Sequence, residues 1–305
     1  MRRAEIALLL LLAACTPQAG TAQEGASGVA PVAQALDCLR VQQRGLASAH
    51  RGGPGPGLPE NALETLSAGY TAGVRLFEID VRRTRDGTLV LMHDETLERT
   101  TTGFGPVEQR SLQDLKSVRL RDDDGQMTQA RIPTLAAALA WAVERGAYLQ
   151  LDVKPEVRFE EVVAAVRQAN AVGSVILIVY SSGAARKLAT LAPEMVISAP
   201  AESLEDLRSS GVAPERLAAW TGLVPKPPAA YAALRSLGVE PILGTLGRPG
   251  SRLDDRYAAD GDLSEYADRV RDGVVILASD AAASAMAALN DAGRGPGECL
   301  REIAQ

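Results

Sequence analysis

Apolar, β-branched runs recur along this chain, and stretches with helical spacing lie between them. Strands are predicted at 46–50, 73–81, 88–93, 147–153, 174–180, 195–199, 217–222, 240–245 and 273–279. Helices are predicted at 61–72, 134–145, 159–171, 183–191, 202–210, 227–237, 262–271 and 281–292. Alternation of this kind indicates a parallel sheet with helical crossovers. There is one strand too many for an eightfold barrel, and connection length identifies the exception. Only Arg82 to Gly87 join the second and third runs, and they contain the turn pair Asp86-Gly87. A parallel crossover needs about a dozen residues or more, so these two runs must form an antiparallel hairpin. The pattern therefore predicts an α/β fold: a single (β/α)8 TIM barrel with a short antiparallel hairpin excursion after the second strand.

Composition narrows the class. A chain of 305 residues, 46% hydrophobic, can build a sizeable core, and the scarcity of aromatics leaves that core to Leu, Val, Ile and Ala. A net charge of −6 argues against a nucleic-acid partner, which would call for a basic patch. The N-terminus reads as a targeting segment: Arg2 and Arg3 precede the apolar run Ile6 to Leu12, which is too short to span a bilayer. Leu12-Ala13-Ala14-Cys15 resembles the bacterial lipobox, in which cleavage leaves a lipidated cysteine. The division expected is a signal peptide with lipobox over 1–15, a tether over 16–43 and the barrel over 44–305. The protein is then exported and held on the cell envelope through a lipid on Cys15. Cys38 and Cys299, just before the first strand and just after the last helix, either pair in an oxidising compartment or remain thiols.

The candidate chemistry falls on one rim. In a barrel, reactive groups sit at the carboxyl ends of the strands and in the loops that follow them. The chain has two histidines, His50 and His93. His50 ends the first strand and His93 ends the hairpin above the second. Glu78 and Asp80 end the second strand and, at period two, share a face. Asp152 and Lys154 end the third, and adjacent strands lie about 4.8 Å apart, so Asp152 can reach the same cation as Glu78 and Asp80. Two adjacent carboxylates repel unless a cation or a proton lies between them. Together with two imidazoles they suggest metal-assisted acid–base chemistry. Hard oxygen ligands suit calcium or magnesium. Gly52 to Gly57 is a flexible loop beside His50. Asn61 with Glu64 fits a helix N-cap followed by an acidic residue at the third helical position. Asp94 is placed to orient an imidazole or the hairpin backbone rather than to ligate a metal.

His50-Arg51-Gly52, Pro59-Glu60-Asn61, Glu78-Ile79-Asp80-Val81, Thr84-Arg85-Asp86-Gly87, His93-Asp94, Arg99-Thr100-Thr101 and Leu151-Asp152-Val153-Lys154-Pro155 together resemble the glycerophosphodiester phosphodiesterases. The resemblance is dense over 48–105, and 273–280 looks like the family's last strand. It implies hydrolysis of glycerophosphodiesters to an alcohol and glycerol 3-phosphate with one divalent cation, Ca2+ or Mg2+. Carried onto this chain, the metal ligands are Glu78, Asp80 and Asp152, and the catalytic pair is His50 and His93. The resemblance also gives Glu60 a role near the metal or substrate, while the charges of Arg51 and Lys154 are expected to meet the substrate phosphate, the alternative for Lys154 being a structural ion pair with Asp152. Two departures are visible. The family usually has glutamate at the position of Asp152, and its tryptophan motif on the seventh strand is replaced by Pro241-Ile242-Leu243-Gly244-Thr245.

Two other functions compete. A lipid-directed, phospholipase D-like phosphodiesterase on the same barrel needs an apolar surface around the mouth. The loops GGPGPG and TTGFGPV offer only Phe104 as a large apolar group. A non-catalytic phosphodiester-binding lipoprotein would bind without turnover, and the presence of both histidines and all three carboxylates weighs against it.

Overall fold

The β-branched runs form the strands. In the computed structural model, which describes residues 31–200 and 204–300, they are β1 (Leu46–Ala49), β2 (Leu76–Arg83), β3 (Leu89–Leu91), β4 (Arg119–Arg121), β5 (Met127–Arg131) and β6 (Tyr148–Val153). They continue as β7 (Val175–Ile178), β8 (Val196–Pro200), β9 (Leu217–Trp220), β10 (Glu240–Gly244) and β11 (Ile276–Ser279). The helices in chain order are α1 (Pro31–Gln42), α2 (Leu63–Thr71), α3 (Leu112–Leu115), α4 (Leu135–Arg145), α5 (Phe159–Gln168) and α6 (Ser182–Leu191). After them come α7 (Leu204–Ser210), α8 (Pro228–Ser236), α9 (Leu253–Ala258), α10 (Ser264–Asp272) and α11 (Ala282–Asp291).

Strands β1, β2 and β6 to β11 pair in parallel, and β1 closes the ring by pairing with both β2 and β11. This is the predicted eightfold barrel. Strand β3 pairs antiparallel with β2, with Val81 opposite Leu91, as the six-residue connection required. A second hairpin, β4–β5, was not visible in the sequence because these strands are short and β5 is largely exposed. With Val90, Met92, Leu97, Val107, Leu115 and Leu120 it encloses a small hydrophobic cluster distinct from the main core. That cluster supports the segment between β2 and α4, which carries His93.

The N-terminal boundary differs from expectation. Pro31–Gln42, inside the stretch read as tether, is helix α1, and its Val32, Ala35, Leu36 and Leu39 are buried in the main core. The helix covers the end of the barrel opposite the mouth, touching β10 and the turns that precede β7 and β9. There Arg40 Nε lies 3.1 Å from Glu240 Oε1. Burial pushes the Glu240 carboxyl up to about 8 despite that partner. Cys38 and Cys299 form a disulfide with Cα atoms 5.5 Å apart, which settles the pairing left open by the sequence. The signal segment, Cys15 and the tether up to residue 30 lie outside the described residues. Among the described residues no helix is long and apolar enough to cross a membrane.

The disulfide spans a sequence separation of 261 residues, so its chief physical effect is to restrict the unfolded chain. Replacing both cysteines by serine is expected to lower unfolding free energy by about 2–5 kcal/mol, measured by denaturant titration under non-reducing conditions.

Candidate active site

The register between β2 and β6 creates the site. It sets Asp80 directly beside Asp152 and Glu78 beside Gln150, and these positions share the strands' alternating face. One ligating oxygen each from Glu78, Asp80 and Asp152 lie within 4.8 Å of one another. Like charges at that separation need compensation. Lys154 supplies part of it, with Nζ 2.6 Å from Asp80 Oδ1 and 2.6 Å from Asp152 Oδ2. Burial disfavours charge on Asp80, but the Lys154 ammonium outweighs it and holds the carboxyl below its ordinary value. Glu78 has no such partner: burial, then repulsion by Asp80, pushes it up to about 8. Asp152 Oδ1 is buried without a hydrogen-bond partner. An orphaned acceptor beside a protonation-prone glutamate is the signature of a donor set short of positive charge, and three carboxylates fit a hard divalent cation.

Tight backbone turns bring the neighbouring groups in. Arg51, Gly52 and Gly53 all have positive φ, at 50°, 86° and 84°. The two glycines adopt this freely, whereas Arg51 does so at a cost of about 1–3 kcal/mol. The turn delivers the Arg51 N–H to Glu78 Oε2 at 2.7 Å. Asn61, also left-handed at 58°, donates from Nδ2 to Asp80 Oδ2 at 2.7 Å and accepts from the Asp80 N–H at 2.9 Å. The reading of Asn61 as a helix cap is therefore corrected. The residue preceding α2 is Ala62, without a side-chain cap, and Asn61 clasps a carboxylate of the trio instead.

Each histidine is held through Nδ1 by an aspartate. His50 Nδ1 is 2.7 Å from Asp280 Oδ1, and His93 Nδ1 is 2.7 Å from Asp94 Oδ1. A carboxylate only accepts, so Nδ1 carries the proton and Nε2 is left to exchange one. Burial opposes charge on His50, but the Asp280 hydrogen bond and the charges of Glu78 and Asp280 outweigh it and raise its pKa. Asp280 is fixed by the Gly247 N–H, Arg252 Nη1 and, at its own N–H, Asp254. Glu60, 5% exposed, accepts from Arg51 Nη1 at 3.0 Å and from both terminal nitrogens of Arg99 at 3.0 and 2.8 Å. Arg99 also pairs with Asp94, holding that carboxyl well below its usual range. A continuous chain Arg51–Glu60–Arg99–Asp94–His93 thus links the turn after β1 to the loop that carries the second histidine.

A cavity of about 220 Å³ opens at the mouth, its wall including His50, Glu78, Gln150 and Asp152. Of the residues singled out from the sequence, Glu78, Asp80 and Asp152 come together as a trio, His50 shares the cavity wall with Glu78 and Asp152, and His93 stands on the neighbouring loop, held by Asp94; Asn61, Arg51 and Lys154 differ from expectation. Arg51 and Lys154, expected to meet a substrate phosphate, are engaged by Glu60 and by the carboxylate pair respectively. Asp280, Arg99 and Gln150 were given no role in the sequence reading. Asp280 was findable: it ends the last strand as His50 ends the first, and those strands are neighbours in a closed barrel.

Residues 50–222 match the Glycerophosphoryl diester phosphodiesterase family. A crystal structure of a glycerophosphoryl diester phosphodiesterase from Parabacteroides distasonis superposes with a TM-score of 0.72 at 30% identity, over 84% of this chain and 92% of that one. Human glycerophosphodiester phosphodiesterase 1 is 38% identical over 130 residues, 41% of this chain and 38% of that protein. A Bacillus subtilis protein, YqiK, is 33% identical over 153 residues, 48% of this chain and 63% of its own length. The matched region thus spans less than two thirds of either curated relative. The fold and site define a (β/α)8 barrel with a carboxylate-lined mouth. The chain belongs to the glycerophosphoryl diester phosphodiesterase family.

The raised pKa of His50 depends on Asp280, so in chelator-treated protein Asp280→Asn is expected to lower its titration midpoint, read by NMR; the chain's two histidines make the assignment tractable. The linkage has a definite sign. A raised folded value stabilises the wild type fully below the unfolded value of about 6.5, and the contribution is lost as pH rises through the folded value. The variant should show a shallower loss across that window in denaturant unfolding.

Proposed function

We propose that this protein hydrolyses glycerophosphodiesters to an alcohol and glycerol 3-phosphate with one divalent cation, calcium or magnesium. The observation that carries this reading is the three-carboxylate cluster with its unpartnered Asp152 oxygen, beside an imidazole anchored at Nδ1. Glu78, Asp80 and Asp152 would hold the cation, which would supply Lewis acidity and positive charge to phosphate oxygens. Asn61 and Lys154 keep Asp80 ionised and oriented for that task. Of His50 and His93, one takes a proton from the attacking oxygen and the other returns one to the departing alcohol, each through Nε2. Asp280 and Asp94 fix the tautomers and stabilise the imidazolium forms. Arg51 and Lys154 would add positive charge where the transition state accumulates negative charge.

Release of glycerol 3-phosphate from glycerophosphocholine, assayed with and without chelator, tests the proposal. Activity should need the added cation, and His50→Ala and His93→Ala should each lose about 10²-fold or more. Binding without turnover in the presence of calcium and magnesium would mark a binding protein instead. A histidine variant near full activity would remove that residue from the mechanism.

We further propose that the chain is exported and lipid-anchored on Cys15. The lipobox-like Leu12-Ala13-Ala14-Cys15 supports this, as does the Cys38–Cys299 disulfide, which suits an oxidising compartment. Cys15→Ala should move the protein from the membrane to the soluble fraction of expressing cells; unchanged fractionation refutes the anchor.

A further inference from the structure

The cavity at the mouth has two chemically different walls. One is polar, formed by His50, Glu78, Gln150 and Asp152. The other runs across β7 to β11 and is nearly all carbon: Ile178, Pro200, Trp220, Ile242 and Leu246 line it, with Ser198 at its base and Tyr180 at its lip. The Trp220 indole lies over a missing side chain. A Cβ on Gly244 would come within 2.5 Å of Trp220 Cη2 and 2.6 Å of Leu223 Cδ2, so the ring from β9 and the leucine from the following loop share the bare surface of β10.

That loop is held firmly. The Thr221 N–H and hydroxyl both donate to the Ile242 carbonyl at 2.9 and 2.7 Å, and the Gly244 N–H donates to the Gly222 carbonyl at 3.0 Å. It nevertheless presents Leu223 and Val224 to solvent, 49% and 70% exposed, and Tyr180 above β7 is 72% exposed. Single exposed apolar residues are ordinary. Here two of them, Leu223 and Val224, stand side by side on the loop at the carboxyl end of β9, and Tyr180, whose hydroxyl faces Asp152, adds its exposed ring at the end of β7. The apolar rim that the loops near His50 and Phe104 do not supply is present on the opposite side of the mouth.

We propose that this wall binds a hydrocarbon chain carried by the diester, so that substrates with one such chain are preferred over short polar ones. The inference deepens the hydrolase reading and rests on it. A quaternary ammonium group is the less suitable occupant. It is favoured by several converging aromatic faces, whereas this wall is mainly alkyl. Among the described residues, the carboxylates lining the cavity are Glu78 and Asp152, which belong to the proposed cation site. At about 220 Å³ the cavity is too small for a glycerophosphate head and a whole long chain, so the chain would continue over Leu223 and Val224.

The test compares kcat/KM, with cation present, for glycerophospho-ethanol, -butanol and -octanol and for 1-acyl-glycerophosphocholines of rising chain length, all below their micellar concentrations. A rise of about two- to fourfold per methylene is expected in at least one series, and that series identifies the half of the diester bearing the chain. The long-to-short ratio should fall about tenfold in Leu223→Ser/Val224→Ser and also in Gly244→Ala, where the new methyl displaces the indole. The ratio cancels any general loss of active protein. Equal rates across both series, or a ratio unchanged in both variants, would overturn the proposal. If no diester is cleaved, the hydrolase reading fails. The wall is then judged by calorimetric binding of the same diesters: affinity rising with chain length supports it, and flat affinity overturns it.

Discussion

Three carboxylates converging in a poorly solvated place form the constraint around which the rest of the mouth is arranged. Their proximity follows from the β2–β6 register alone, which seats Asp80 beside Asp152. Left uncompensated, such a cluster would be destabilising. The chain answers with an ammonium between two of the acids, an amide clasp on one and a backbone N–H on the third. What remains unanswered is one buried oxygen of Asp152 and the raised proton affinity of Glu78. Residual electronegativity of this kind, concentrated at one point, is what a cation site requires before its ion arrives.

The same economy governs the two imidazoles. Neither is placed by its own strand alone; each is locked by an aspartate that is itself held by arginine. Arg99 has a double role, because the face of Glu60 that it binds also receives Arg51. The turn after β1 and the loop carrying His93, separate in the chain, are therefore mechanically one object. The strained φ of Arg51 is tolerated because both its N–H and its guanidinium have acceptors there.

The barrel was legible from period and connection length, since eight buried strands leave an unmistakable succession of apolar runs. The hairpin after β2 followed from the short reach of Arg82 to Gly87. A residue whose role depends on a distant partner or an unusual dihedral leaves no such mark in the sequence. Asn61 looked like a cap because its spacing to Glu64 is that of a cap; only a left-handed backbone turns it toward Asp80. His50 and Asp280 are 230 residues apart, and their pairing needs the closure of the ring. Helix α1 was absorbed into a tether because its alanines and glutamine resemble linker composition, although Val32, Leu36 and Leu39 keep helical spacing. The apolar rim was invisible because a glycine on β10 and a tryptophan on β9 mean nothing together until the register aligns them.

The segment between β2 and α4 has a hydrophobic cluster of its own, set apart from the barrel's interior. One of the two histidines thus rides on a module with a much smaller reserve of buried contacts than the scaffold beneath it. Cooperative units of unequal stability open at different temperatures. On gentle heating such a molecule would lose the placement of His93 first and unravel later: the ring would stay closed and the acids in place, and any step that the proposed mechanism assigns to His93 would already be gone.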